Sequence, residues 1–148
     1  MPYLIDGNNL MHRGQTRRQL LEELARFAQI KKARVAVAFD GAPEANFPDN
    51  STFQTVKIHY AARGSNADNR IKQIVEASKE RQTLFVVTSD RALADFVRRS
   101  GAKTINCRDF RDRMANLPPQ KKEQTQTEGV KPEEMSAWLR YFGADEDD

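Results

Sequence analysis

The sequence predicts a three-layer α/β/α fold built on a mostly parallel sheet of five strands. Short apolar runs alternate along the chain with segments whose apolar residues recur at helical spacing. This alternation is typical of a parallel sheet with helices on both faces. Two of the runs, Tyr3 to Ile5 and Leu84 to Thr88, are closely followed by an aspartate and then by a helical pattern, as expected where a buried parallel strand leads into a helix.

The first 60 residues contain three predicted strands and one long helix. Tyr3 to Ile5 and Arg34 to Phe39 are the first two strands, and Thr55 to Tyr60 alternates apolar with polar residues, which predicts a third strand near the sheet edge. Residues 42–52 contain two prolines and two asparagines, which indicates a long surface loop. The helix, Arg17 to Gln29, is predicted by an apolar stripe made of Leu20, Leu21, Leu24, Phe27 and Ala28.

The next part of the chain continues the alternation to about residue 117. A helix is expected from Ala67 to Glu80, with Ile71, Ile74 and Val75 inward, and Leu84 to Thr88 is the most apolar strand and therefore central. The following helix, from Arg91 to Ser100, should bury Leu93, Phe96 and Val97 and end at Gly101. Lys103 to Asn106 is a short fifth strand, and Asp109 is placed to cap a last short helix.

The C-terminal part has a different composition and predicts separate segments. Residues 1–117 form the predicted domain, and residues 118–131 read as a polar linker. Residues 132–143 predict an amphipathic helix with Trp138 on its apolar face, and residues 144–148 form an acidic tail. The apolar face of the Trp138 helix must be covered, and we expect it to dock on its own chain or on the second copy of a homodimer.

Charge and composition narrow the class of protein. The net charge is +3 although all of residues 145–148 are acidic, so the rest of the chain is clearly basic. A basic body suits a polyanion partner, but solubility alone explains it equally well. No apolar run reaches membrane-spanning length and no secretion signal is apparent, so we expect a cytoplasmic protein with no membrane partner. Cys107, the single cysteine, can form neither an internal disulfide nor a cysteine-based zinc site and is expected to pack.

Four aspartates are expected to meet at one edge of the sheet. Asp6, Asp40 and Asp90 follow strands, and Asp68 opens a helix that must begin on the same side. Taken singly, each could simply form a turn or cap a helix. Together they repel one another unless a cation lies among them. Hard carboxylate oxygens of this kind favour Mg2+ or Mn2+.

A metal held by these aspartates predicts hydrolysis of a phosphodiester bond. The ion would activate a water molecule and offset charge on the leaving oxygen, so no nucleophilic side chain is required. Five side chains that can donate hydrogen bonds to RNA phosphates are expected near this edge of the sheet: Arg13, Arg17, Arg63, Ser89 and Arg91.

A second basic group follows farther along the chain. It could contact RNA or a polyanion such as the ribosome, although a solvated helix face is at least as good an explanation. Its members are Arg98, Arg99, Lys103, Arg108, Arg111 and Arg113.

Three motifs together resemble a known family of nucleases. DGNNL near the start, SNADNRI in the middle and VTSDRALADFVRRSGAKTINCRDF later on are similar to the NYN-domain branch of the PIN-like nucleases, and within it to the YacP-like bacterial group. The resemblance covers residues 1–117. It implies the strand order 3-2-1-4-5, metal-dependent endoribonuclease activity, and catalytic roles for Asp6, Asn8, Asp68 and Asp90.

Two positions limit how far the resemblance carries. The acidic residue that many relatives have shortly after VTSD is not clearly present, because Asp95 lies five residues after Asp90 and could approach the site only through water. Asp40 matches a less constant position of the family. We expect Asp40 to be an additional metal ligand, and Asp95 to act on the site only indirectly, without binding the metal itself.

Other functional classes remain as alternatives. A non-catalytic RNA-binding module could keep the same fold and basic surface. An aspartyl phosphatase is disfavoured because Asn8 stands where that chemistry needs a second aspartate, and a receiver domain because Tyr60-Ala61 supplies no aspartate after the third strand. Cleavage of DNA remains an alternative, because a metal and its carboxylate ligands do not distinguish ribose from deoxyribose.

Overall fold

The structure of the protein, a computed structural model, describes residues 2–118. Within that range the strands are β1 (Pro2–Asp6), β2 (Arg34–Phe39), β3 (Thr52–Phe53), β4 (Val56–Tyr60), β5 (Phe85–Val87) and β6 (Lys103–Ile105). The helices are α1 (Gly7–Leu10), α2 (Arg17–Lys31), α3 (Ala67–Ala77), α4 (Arg91–Arg99) and α5 (Cys107–Ala115), with a short 3-10 turn at Arg81–Thr83. The predicted linker beyond residue 118, the Trp138 helix and the acidic tail lie outside the described residues.

The strands form one sheet in the order β3-β4-β2-β1-β5-β6. The predicted class and the predicted order of the five main strands are confirmed. The expected strand count was wrong by one, because β3 lies in what the sequence presents as the end of a loop. Thr52 pairs antiparallel with Lys57 and Phe53 with Val56, and so short a pairing leaves no periodicity in the sequence. All other pairs are parallel.

Two apolar layers cover the two faces of the sheet. On one face α2 and α5 pack through Leu20, Leu24, Phe27 and Phe110, with the rings of Phe27 and Phe110 4.8 Å apart. On the other face α3 and α4 pack through their own buried residues Ile71, Val75, Leu93 and Val97. The helical stripes read from the sequence are therefore correct, except that Ile74 and Phe96 are only partly buried.

The helix ends show which predicted caps are real. Asn106 caps α5, since its side-chain oxygen accepts the backbone N–H of Asp109 at 2.8 Å. The predicted cap at Asp109 was therefore wrong: Asp109 lies in the first turn. Gly101 follows α4 with φ of 97°, a left-handed conformation that glycine adopts without strain.

The topology places the ends of β1 and β5 at a crevice. The chain leaves β1 for α2 on one face, whereas α3 and α4 lie on the other face, so the winding direction reverses between β1 and β5. Ligands of open parallel sheets bind at such a reversal, outside the carboxyl ends of the strands. In register, Asp6 lies opposite Ala38 of β2, and Ile5 lies opposite Val87 of β5. No helix among residues 2–118 is long and apolar enough to cross a membrane.

Candidate active site at the carboxyl edge of the sheet

Asp6 ends β1 and is almost completely buried, with 5% of its surface exposed. Its Oδ2 atom accepts a 2.9 Å hydrogen bond from the hydroxyl of Thr88, which is buried beside it. The pKa of the Asp6 carboxyl is raised from its ordinary 3.8 to about 6, mainly by burial and also by the negative charges of Asp68 and Asp40, while the hydrogen bonds from Thr88 and the backbone of Asn9 act in the opposite direction. The surroundings therefore destabilise the ionised form of Asp6 at neutral pH.

Asp68 and Asp90 form a second, coupled pair. Asp90 caps α4 by accepting the backbone N–H of Leu93 at 3.1 Å, while Asp68 lies in the first turn of α3. The pKa of Asp68 is raised first by burial and then by the charge of Asp90 and a hydrogen bond to its side chain; Lys72 opposes the shift. Two carboxyl groups can share a hydrogen bond only when one of them holds a proton. A proton or a bound cation between the two carboxyl groups would each relieve this repulsion.

Asp40 completes the group of four aspartates predicted from the sequence. Its Oδ1 atom accepts the backbone N–H of Ala67 at 2.5 Å, which ties the end of β2 to the start of α3. Its charge also raises the pKa values of both Asp6 and Asp68. The four aspartates, at the ends of β1 and β2 and at the starts of α3 and α4, thus lie close enough for each to act on at least one other.

Two consecutive asparagines after Asp6 hold the neighbouring turns in place. Asn8 accepts the backbone N–H of Asp40 at 2.7 Å, on the β2 side. Asn9 accepts the backbone N–H of Ser89 at 2.5 Å, on the β5 side. Asn8 was predicted to be catalytic, and here its side-chain oxygen is used to position Asp40. Asn9 was not singled out from the sequence, although its place in DGNN, directly beside Asn8, is the one signal that could have indicated it.

Cys107 lies beside this asparagine clamp, formed by Asn8 and Asn9. Its thiol donates to Asn9 Oδ1 at 3.1 Å, and its backbone N–H donates to the Ser89 hydroxyl at 3.0 Å. Cys107 is thus packed, as expected, and it packs at the carboxyl edge, because the start of α5 lies against the turn after β5. Burial raises the pKa of the thiol, as does the charge of Asp6, so the sulfur serves as a packed donor and is a poor nucleophile.

Gly7 permits the tight passage from β1 into α1. A Cβ atom at this position would lie 2.6 Å from Cδ1 and Cε1 of Phe39 and 2.9 Å from the carbonyl oxygen of Ala38. These distances are shorter than any relaxed contact, so a side chain would push β1 and β2 apart. The glycine of DGNN therefore sets the spacing between the Asp6 and Asp40 turns.

Arg17 binds within the protein. Its guanidinium donates to the carbonyl oxygens of Asp40 at 2.7 Å and Ala42 at 3.0 Å, pairs with Glu44 at 3.3 Å, and lies 5.1 Å from the ring centre of Tyr60. Because these contacts engage its donors, Arg17 supports the Asp40 turn and is poorly placed to hold a phosphate as well.

The remaining predicted RNA contacts are exposed around the carboxyl edge. The side chains of Arg13, Arg63 and Arg91 make no hydrogen bond or ion pair within residues 2–118, and Ser89 is exposed while accepting the N–H of Cys107. Asp95, by contrast, faces Arg98 at 2.6 Å on the exposed side of α4. The structure does not bring Asp95 to the four aspartates.

The donor set suits a divalent cation, although no ready-made cage is present. Within residues 2–118, no three or more His, Cys, Asp or Glu side chains converge as ligands around a single point. Mg2+ does not need such a cage, because it keeps several waters and commonly binds through one or two carboxylates. The mutual repulsion of Asp6, Asp68, Asp90 and Asp40 is the observation that fits a cation.

Comparisons with known proteins agree with this architecture. The model of the YacP-like NYN domain family matches residues 3–140, which extends past the region of the sequence resemblance. Among solved structures, Rae1 (YacP) from Bacillus subtilis is similar with a TM-score of 0.59 and 21% identity over 79% of this chain and 75% of that chain. A mutant of the same protein gives a TM-score of 0.61 and 19% identity over 78% and 76%. At this identity the likeness shows the fold alone. No curated protein sequence matches the chain.

Proposed function

The chain belongs to the YacP-like NYN domain family of PIN-like nucleases, and on that premise we propose that it is a divalent-metal-dependent endoribonuclease. The reaction is hydrolysis of an RNA phosphodiester bond. The observation that carries the proposal is the coupling of four aspartates from four different elements at the carboxyl edge of the sheet. A purely structural set of turns and caps would have no reason to bring them within range of mutual repulsion.

The four aspartates are the proposed ligands of Mg2+ or Mn2+. When bound, such an ion supplies the acidity that turns water into a nucleophile and the positive charge that stabilises the leaving oxygen. Asp6, Asp68 and Asp90 are the main ligands in this proposal, and Asp40 assists while holding α3.

The protein's own residues position the site and the substrate. The Thr88 hydroxyl donates to the Asp6 carboxylate and accepts the backbone N–H of Asp90 at 3.1 Å, so one side chain ties the Asp6 carboxylate to the turn that carries Asp90. The exposed guanidinium groups of Arg13, Arg63 and Arg91 are free to hold phosphates on either side of the scissile bond. Asn8 acts in this scheme as a positioning residue, because its side chain holds the Asp40 turn.

The test is cleavage of end-labelled single-stranded RNA by the full chain with Mg2+, with Mn2+ and with chelator. Asp6→Asn and Asp90→Asn should each lower the cleavage rate by about 100-fold or more, since each removes a ligand whose charge the reaction needs. Asp112→Asn is the matched control, because Asp112 is an exposed aspartate of α5 outside the group of four. Its rate should stay within about twofold of the parent. A matched DNA strand in the same assay shows whether the sugar is read.

The competing candidate is a non-catalytic RNA-binding module, and one observation favours it. The described residues present no preformed set of three metal ligands, as would be expected of a site that no longer binds a catalytic metal. RNA binding without metal-dependent cutting would support this candidate and contradict the nuclease. Cutting that persists in Asp6→Asn would contradict the proposed site.

A further inference from the structure

A polar groove continues from Asp90 towards the outer edge of the sheet. It has a volume of about 380 Å3 and lies between the first turns of α4 and α5. One wall is the turn Thr88, Ser89 and Asp90, so this α4–α5 groove opens directly from the carboxylate group. The far wall carries Asn106 and Arg113.

The groove contains more positive than negative side chains. Arg91, Arg98 and Arg113 line it, against Asp90 and Asp109. Arg98 is held in place by Thr104 at 2.9 Å and by its ion pair on α4. Within residues 2–118 the side chains of Arg91 and Arg113 bind no other residue, so two guanidinium groups remain available at a groove next to the proposed site of cleavage.

The chemistry of the lining favours a sugar-phosphate backbone over a base. Ala94 and Ile105 are the two apolar residues of the lining, and it contains no aromatic ring on which a base could stack. Guanidinium, hydroxyl and amide groups bind phosphate and ribose oxygens without reading sequence. A groove of this volume is at the lower end of the range for ligand pockets and suits a single nucleotide unit.

We infer that the α4–α5 groove binds the backbone of single-stranded RNA directly beside the scissile bond, with Arg113 and Arg91 on its phosphates. The inference rests on the proposed function for the position of the scissile bond, but the binding itself requires no cleavage. Arg113, which lies just beyond the third sequence motif and outside the four aspartates, becomes a substrate-binding residue. The nearby Asp109 lowers the affinity of the groove for RNA, because its carboxylate repels phosphate.

The test is binding of a fluorescein-labelled oligouridylate to the full chain in chelator, measured by anisotropy over a range of salt concentrations. Losing one phosphate contact to a single strand lowers the slope of log affinity against log salt by about 0.7, which is about fivefold in affinity at 0.1 M salt. Arg113→Gln should show this loss, and Arg113→Lys should keep most of the affinity. Asp109→Asn should bind about two- to fivefold more tightly.

The matched control is Arg108→Gln, which removes the same charge from the same helix outside the groove. Its affinity should stay within about twofold of the parent. Equal losses in Arg108→Gln and Arg113→Gln, no gain in Asp109→Asn, or no RNA binding by the parent would each overturn the inference. If the expected binding pattern holds but the parent cuts no RNA with Mg2+ or Mn2+, the proposed nuclease fails and the groove stands. If the parent cuts RNA but the expected pattern of binding affinities is absent, the inference about the groove fails and the proposed nuclease activity stands.

Discussion

Replacing Asp6 by asparagine should stabilise the metal-free protein at neutral pH. Asp6 is buried, and its pKa of about 6 instead of 3.8 means that ionising it opposes folding. At about 1.4 kcal/mol per pH unit, the penalty reaches about 3 kcal/mol above pH 7. The new amide N–H2 group has to find partners that a carboxylate does not need, which offsets part of the gain. We therefore expect Asp6→Asn to raise the free energy of unfolding by about 1–2 kcal/mol.

The effect has a defined pH dependence. Because the folded-state pKa of Asp6 is raised, the stability that its proton provides is complete below about pH 4 and is lost as the pH rises through about 6. Asparagine does not titrate. The advantage of Asp6→Asn should therefore shrink by about 2 kcal/mol between pH 7.5 and about pH 4.5.

The assay is urea unfolding of parent and variant in chelator, followed by circular dichroism at both pH values. Asp112→Asn should change the free energy of unfolding by less than about 0.5 kcal/mol, as is usual for an exposed site. Added Mn2+ should stabilise the parent more than Asp6→Asn, since ligand binding adds to stability only where the site is intact. A loss of more than about 1 kcal/mol in Asp6→Asn at pH 7.5 would refute the reasoning and make Asp6 a structural strand-end residue.

Two further substitutions test how the site is held. Gly7→Ala should lower the free energy of unfolding by about 1–3 kcal/mol in urea, because its Cβ would overlap the Phe39 ring; an unchanged value would show that the ring moves aside freely. Asn9→Ala should lose the bond to Ser89 and cost about 1–2 kcal/mol, and it should weaken Mn2+ binding about tenfold by calorimetry. Asn116→Ala, at an exposed asparagine just after α5, is the control; equal Mn2+ affinity in the two variants would argue against the clamp.

The aspartate group could be predicted because each aspartate follows from local pattern. An apolar run that ends in Asp6 or precedes Asp90 identifies a strand and its carboxyl end in one step. All parallel strands of one sheet share that end, so the side chains meet without any knowledge of loop conformation. Asp68 required one more step, namely that a helix returning to the sheet begins on the same side.

The contacts that hold the group in place could not be predicted in this way. The bond from Cys107 to Asn9 joins residues 98 positions apart, and the Arg17 contacts depend on the path of the loop after β2. Such partners follow from tertiary packing and leave no period in the sequence. The same reason explains why the short β3 read as a loop, while the cap of α5 at Asn106 was missed in favour of a nearby aspartate.

The position of β1 in the sheet also determines when the site can form as the chain folds. β1 comes first in the chain, yet it lies between β2 and β5, and the bond between Thr88 and Asp6 spans 82 positions. Closing so long a loop carries an entropic penalty that must be met before the contacts it brings can form. During synthesis the DGNN motif therefore emerges well before the turn after β5, and the four aspartates cannot assemble until that turn is available.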